Sequence, residues 1–318
     1  RTPFALETGP LFRTALYSVS PLDHVLVLSA HHVVCDGWSW GVISEDLGQL
    51  YAEQLGIGPA PDPAARYADF GAWELAEAAS PTMQEQFDYW LGRFAGSSLP
   101  VLELPLDHAR RVFRTFSSRR IDHPLDPQLV TALRKLGSGA GTSLFATMLG
   151  AFAATLHRLT AQDDLVIGIA AAGQLASDMP TLVGHCVNLL PLRMSIDAEA
   201  PFESLMRDSG NLLLDAFEHQ TLTYGTLLKK LPLQRDPSRL PLVSVLFNVD
   251  PDVSTNRQHF AGLDIEVGSI PRDYENFELF LNVTPVASGM RIEAQYNADL
   301  FDDQTVRRWL GMYECVLR

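Results

Sequence analysis

The hydrophobic pattern switches between short apolar runs and helical spacing along the whole chain. Residues 11–19 predict a strand. Asp23-His24-Val25-Leu26-Val27-Leu28-Ser29-Ala30 predicts a second, buried one, being short, rich in branched residues and bounded by Pro21 and two histidines. Apolar positions at 42, 43, 47, 50, 51 and 55 then form one helical face, which ends at Gly56. Helices are predicted over 67–79 and 83–94, the second opened by Ser80-Pro81. Residues 96–120, with Gly, Ser, Pro and arginines at 110, 111, 114, 119 and 120, read as a connection leading to a strand near 119–123. Beyond it the pattern predicts helices over 127–135, 143–159, 202–217 and 306–317, with Thr142 or Ser143 as a cap for the second. Strands are predicted over 165–170, over 186–196 with an interruption at Pro191, and over 242–249. Residues 277–285 and 290–296 alternate and are separated by Ala287-Ser288-Gly289, which predicts a hairpin. The class is α/β (α+β) with large sheets and no internal repeat.

Composition narrows this picture. The 318 residues are 47% hydrophobic and 19% charged, a globular profile long enough for two lobes. The net charge of −14 argues against a nucleic-acid partner, which calls for a basic surface. No apolar run predicts a membrane span, and the first residues lack the apolar core of a signal peptide. Cys35, Cys186 and Cys315 are far apart and odd in number, so neither a disulfide framework nor a metal site is indicated. A reducing cytoplasm is the expected location.

One stretch carries chemistry. His31-His32-Val33-Val34-Cys35-Asp36-Gly37 lies between a predicted strand and a predicted helix, a place where functional groups are often held rigidly. An imidazole takes or gives a proton near neutral pH, and a carboxylate four residues on orients the ring or ties down the loop. Gly37 allows unusual backbone angles or close approach of a ligand. Taken alone, two adjacent histidines after a strand are more often ordinary than catalytic, an Asp before a Gly is usually a turn or cap residue, and Cys35 reads as a small buried hydrophobe.

The wider sequence changes those odds. Ser29 to Ser39 resembles the HHxxxDG motif of nonribosomal peptide synthetase condensation domains. Other segments are similar to the same family in the same order: Phe4-Ala5-Leu6-Glu7-Thr8-Gly9-Pro10-Leu11-Phe12-Arg13, Tyr67-Ala68-Asp69-Phe70-Gly71-Ala72-Trp73, the helix with Tyr89-Trp90, and Asp163-Asp164-Leu165-Val166-Ile167-Gly168. Val183-Gly184-His185-Cys186-Val187-Asn188-Leu189-Leu190-Pro191-Leu192-Arg193, Phe217-Glu218-His219-Gln220 and Leu246-Phe247-Asn248 complete the series. The resemblance covers essentially the whole chain. Two departures stand out. The family normally carries a further N-terminal part ahead of the region where this sequence begins, and Gln174 stands where the family commonly has Arg.

The resemblance implies two chloramphenicol acetyltransferase-like lobes in a V with a tunnel between them, the first (1–105) incomplete and carrying the motif, the second spanning 106–318. It implies amide bond formation between a donor acyl thioester and the amine of an acceptor aminoacyl thioester. Both would hang on phosphopantetheine arms delivered by carrier proteins, with an adenylation domain as neighbour and no cofactor bound by the domain itself. Matched by position, His32 acts as general base or positions the amine, and His31 supports the loop. Asp36 is structural, with Arg193 as its expected partner, and Gly37 supplies an oxyanion contact or space. Trp38, Ser39, Asn188 and Asn248 are expected along the substrate channel. The arginines at 110–120 are candidates to meet a phosphate or an acidic carrier. Other readings stay open: an epimerisation domain using a downstream glutamate such as Glu275 or Glu278, an ester-forming or stand-alone acyltransferase, and a docking module without chemistry. A heterocyclisation domain would carry aspartates in place of both histidines.

Overall fold

The computed structural model describes residues 2–96, 99–234, 236–251 and 260–318. The elements follow in the order β1 (Phe12–Ser20), β2 (Asp23–Ala30), a 3-10 turn (His32–Val34), α1 (Gly37–Gln54), α2 (Tyr67–Ala78), α3 (Met83–Arg93) and β3 (Ser118–Leu125). Next come α4 (Pro127–Gly139), α5 (Leu144–Thr160), β4 (Asp164–Ala172), α6 (Gly173–Ala176), β5 (Val187–Ser195), α7 (Phe202–Glu218) and α8 (Tyr224–Lys230). The chain ends with β6 (Val245–Val249), β7 (Leu279–Val286), β8 (Gly289–Asn297) and α9 (Asp303–Leu317). The mixed α/β class expected from the pattern is the one observed. Pro191 lies inside an unbroken β5 rather than interrupting it.

The chain divides into two compact units, one of residues 1–79, 172–187 and 253–266, the other of 80–171, 188–252 and 267–318. The first break in this division falls after residue 79. The reason is packing: Trp90 of α3, Phe94 at its C-terminal cap, and Leu102 and Leu104 beyond are buried in the core of the second unit. Residues 173–186, the connection between β4 and β5, are grouped with the first unit.

In the first unit β1 and β2 form an antiparallel ribbon, with Phe12 opposite Ala30 and Tyr17 opposite Val25. β2 is not the buried strand that its composition predicts: Val25 and Leu26 are exposed, and its second half is only half-buried. A two-stranded ribbon has two faces and little to cover them, so the branched residues here express strand propensity rather than burial. A small apolar cluster of Phe70, Leu182 and Cys186, with Trp73 and Met179 against it, joins α2 to the 173–186 segment.

The second unit holds a six-stranded sheet in the order β3-β8-β7-β6-β4-β5. β4, β6 and β7 are parallel neighbours, and β8 runs antiparallel to both β7 and β3. The predicted hairpin is β7–β8, turning through Ala287-Ser288, with Gly289 at a φ of 131° that other residues avoid. α5 is the central helix, capped by Ser143, whose hydroxyl accepts from Ala146 N–H at 3.1 Å. Residues 146–153 are buried all round, as a helix without a polar stripe must be. Its Phe152 packs on Phe247 of β6 and Tyr313 of α9, at centroid distances of 5.5 and 5.8 Å. Among the described residues no single helix is long and apolar enough to cross a membrane.

Candidate active site

The His31–Gly37 heptad is a strand-to-helix turn with every residue type in a definable place. β2 ends at Ala30, and His31 N–H donates to Leu11 O at 2.9 Å. The His31 ring caps the 3-10 turn, its Nδ1 accepting from Val33 N–H at 3.1 Å. A neutral ring that accepts at Nδ1 carries its proton on Nε2. The edge of this ring also meets Phe4, with centroids 5.9 Å apart. His31 thus holds the turn in shape, and the exposed His32 follows it.

Asp36 is 2% exposed and caps α1. Its Oδ1 accepts from Ser39 N–H at 2.9 Å and from Ser39 Oγ–H at 2.7 Å, and Asp36 N–H donates back to Ser39 Oγ at 3.3 Å. Gln174 Nε2 reaches Oδ1 at 3.1 Å and Oδ2 at 3.0 Å, and Cys186 N–H donates to Oδ2 at 2.9 Å. A buried carboxylate needs such donors to offset its lost hydration. The expected ion pair with Arg193 is therefore corrected. Gln174 serves Asp36 with its side-chain amide. Arg193 is held within the second unit, its Nη2 on Asp164 Oδ2 at 2.6 Å and its Nε on Oδ1 at 2.9 Å. That pair holds the Arg193 guanidinium above its ordinary pKa.

Ser39 is also corrected. It is fully buried, its one hydroxyl proton is shared between Asp36 Oδ1 and Gly184 O at 3.0 Å, and its oxygen accepts from Gly184 N–H at 3.1 Å. Its hydroxyl closes the cap instead of lining a channel. Trp38 is half-buried, and its Nε1–H donates to Pro180 O at 2.8 Å, fastening α1 to the 173–186 segment. Gly37 is the first residue of α1, has no positive φ, and a Cβ there would meet nothing within 4 Å. The chain itself does not require glycine at this position, neither for backbone angle nor for packing. Burial, and then the charge of Asp36, push the Cys35 thiol up to about 11, which disfavours the reactive thiolate.

His185, which the sequence does not single out, meets the His32 ring. The two Nδ1 atoms lie 3.0 Å apart, with ring centroids at 5.0 Å and planes at 81°. Its signal in the sequence is a titratable ring in an otherwise small and apolar run, Gly184-His185-Cys186-Val187, within the family-like segment 183–193. The backbone of His185 is anchored: Tyr67 Oη–H donates to its carbonyl at 2.9 Å. Burial first, and the neighbouring His32 second, hold the His185 pKa below the ordinary imidazole value, against a smaller upward pull from Asp36 and a hydrogen bond to the His32 backbone.

The remaining expected residues lie in the second unit. Asn188 is fully used: its Nδ2 donates to Gln220 O and Leu222 O at 2.8 and 2.9 Å, and its Oδ1 accepts from Leu189 N–H and Tyr224 N–H. All four of its hydrogen-bonding positions are filled, so it clips β5 to the start of α8 rather than offering a contact to substrate. Asn248 of β6 donates to Asp250 Oδ1 and to Asn282 Oδ1, both at 2.8 Å, and Asn282 donates to Asp250 Oδ2 at 2.7 Å. Burial pushes the Asp250 carboxyl up, against the hydrogen bonds from Asn282, Thr284 and Asn248. The arginines at 110–120 meet partners in their own unit: Arg110 pairs with Glu278, Arg111 with Asp299, Arg119 with Asp303 and Arg120 with Glu293, while Arg114 lies over the Phe116 ring. Glu278, one of the two carboxylates considered for an epimerisation role, is 6% exposed and gripped by both terminal nitrogens of Arg110 at 2.8 and 3.0 Å. Glu275 is likewise buried and meets Arg272 at 3.2 Å.

Comparison with known proteins points to one family. The model of the "Condensation domain" family matches residues 1–318. The chain is 31% identical over 322 residues to a component of the linear gramicidin synthase of Brevibacillus parabrevis, covering 100% of this chain and 4% of that protein. It is 31% identical over 315 residues to a component of the plipastatin synthase of Bacillus subtilis (strain 168), covering 99% and 9%. It therefore spans a small part of these relatives. Among solved structures it is similar to the condensation domain from the Monacolin K polyketide synthase MokA, with a TM-score of 0.85 at 20% identity, covering 99% of this chain and 73% of that one. It is also similar to SgcC5 from Streptomyces globisporus, with a TM-score of 0.79 at 25% identity and the same coverage. With the whole chain matched by the family model, the protein belongs to the condensation-domain family.

Proposed function

We propose that this chain joins two carrier-bound substrates through an amide bond, with His32 as the residue that serves the attacking amine. One observation carries the reading: an exposed imidazole sits on a turn whose geometry is set from below by the buried, fully hydrogen-bonded Asp36. In the reaction the amine nitrogen of the acceptor attacks the carbonyl carbon of the donor thioester. The C–N bond forms and the C–S bond breaks. The proton released by the amine passes to His32 and then to the departing thiolate, so donor thioester and amine give amide and thiol. A free amine already has its lone pair available, so orientation contributes more than proton removal.

Asp36 acts on this step only through structure, by fixing the turn. Gly37 leaves room for a phosphopantetheine arm where a side chain would intrude, and Trp38 lies beside it on the same turn of α1. Asn248, at the end of β6, is a further candidate contact to substrate. The partners in this reading are a donor and an acceptor carrier protein, each supplying its own arm, and an adenylation domain that loads the acceptor. The location is a reducing cytoplasm, which suits three unpaired cysteines.

The test uses full-length protein with donor and acceptor carriers loaded, and mass spectrometry of the carriers. Wild-type protein yields the condensed product on the acceptor carrier, and His32→Ala loses it while still binding both carriers. Wild-type protein that binds carriers without forming product points instead to a docking module. Loss of α-proton label from one carrier-bound aminoacyl group points to epimerisation.

A further inference from the structure

His32 and His185 are 153 residues apart in sequence and place their Nδ1 atoms 3.0 Å from each other. Two imidazole nitrogens at that distance hold one proton between them, so one ring donates and the other accepts. The choice has a consequence at the far side of each ring. The donating ring keeps its Nδ1 proton and exposes a bare Nε2. The accepting ring carries its proton on Nε2. Tautomer and contact are therefore one property.

His185 is built to stay in place. The residues on both sides of it are clamped by the α1 cap: Gly184 N–H donates to Ser39 Oγ at 3.1 Å and Cys186 N–H to Asp36 Oδ2 at 2.9 Å. Its own carbonyl is held by Tyr67. A Cβ on Gly184 would come within 2.4 Å of the Tyr67 ring, so the backbone at this point has little freedom. The cap that fixes the His32 turn thus also fixes the ring facing it.

We propose that His185 is a positioning residue for His32: it accepts the His32 Nδ1 proton, fixes that ring and its tautomer, and leaves the bare Nε2 of His32 to accept from the attacking amine. The inference rests on the reading of His32 in the preceding section. Burial and the adjacent His32 disfavour a proton on His185, which suits an acceptor; Asp36 and the His32 backbone oppose this and are outweighed. Tyr67 and Cys186 are further titratable groups beside His185, and both are shifted upward, toward their neutral forms. When His32 takes the amine proton on Nε2, its Nδ1–H remains on His185, so the imidazolium keeps a hydrogen-bond partner throughout. A second proton on the pair would place two like charges in contact.

The test compares His185→Phe, which keeps a ring and removes the acceptor, with His185→Asn, whose Oδ1 reproduces the acceptor near the Nδ1 position. Both are made in the full-length protein and measured with loaded carriers. Their His32 ring nitrogens are read by ¹⁵N NMR. In H185F kcat falls by about tenfold, a fraction of the usual general acid–base contribution, KM for the acceptor carrier stays unchanged, and the His32 Nδ1–H signature is lost. In H185N most of the rate and the signature return. Wild-type kcat with unchanged His32 nitrogen shifts in H185F overturns the inference, and so does an H185N protein that is folded yet as slow as H185F. H32A, run alongside, separates the claims. Full product from H32A removes the reading of His32 and this inference with it; loss in H32A with a wild-type rate in H185F removes the role of His185 alone.

Discussion

Gln174 donates its side-chain amide to both carboxylate oxygens of Asp36, at 3.1 and 3.0 Å, across 138 residues of sequence. Both residues are buried, Gln174 completely. A carboxylate with no cation paired to it among the described residues depends on every donor it has. Gln174→Ala removes two of these hydrogen bonds, and the expected loss is about 2–3 kcal/mol, in the range for a buried charged group left short of partners. Thermal or urea unfolding of the variant against wild type measures it; equal stability would show that Ser39 and the Cys186 N–H suffice for Asp36.

Gly173 lies at the turn from β4 into α6, directly before Gln174. A Cβ there would come within 2.2 Å of the Cys186 carbonyl oxygen, which is backbone and cannot rotate away. Gly173→Ala is expected to destabilise by about 1–3 kcal/mol through overpacking. It should also weaken the His32–His185 contact, since Cys186 is next to His185. The checks are the unfolding midpoint and the ¹⁵N signals of the two histidines.

Arg110 and Glu278 form a nearly buried bidentate pair in the second unit, with side chains 13% and 7% exposed. Removing the cation leaves a buried carboxylate unpaired. Arg110→Ala should cost about 3–5 kcal/mol, read from urea unfolding. A double variant with both residues replaced by apolar ones of similar volume should recover much of that loss, because no charge is then left stranded.

His185 makes folding stability depend on pH. Its folded pKa lies below the ordinary value of 6.5, chiefly through burial and secondly through His32. As pH falls, the unfolded chain takes up this proton first. The stability contribution is therefore complete above the unfolded value and is lost as pH falls from there toward the lower folded value. His185→Asn removes the group, so its stability should fall less steeply than wild type over about pH 7 to 5. Urea midpoints at a series of pH values give both slopes; parallel slopes would show that His185 titrates alike in both states.

Much of this protein was legible from local pattern. The helices α4, α5, α7 and α9, the β7–β8 hairpin and the Ser143 cap all follow from spacings within a few residues. So did the strand-to-helix setting of the heptad, because strand, turn and cap are all short-range. Motif resemblance added the family. Tertiary structure decided which residues meet. The sequence offered Arg193 as the partner of Asp36, but Asp164 holds Arg193, and Gln174 with the Cys186 backbone serves Asp36. Ser39 and Asn188, expected to face substrate, have their polar groups taken by the fold itself. His185, carrying little signal of its own, reaches His32. The physical reason is range. Periodicity and capping are properties of neighbours along the chain, whereas a buried charge takes whichever donors the folded backbone brings to it, and residue type alone does not say which those are.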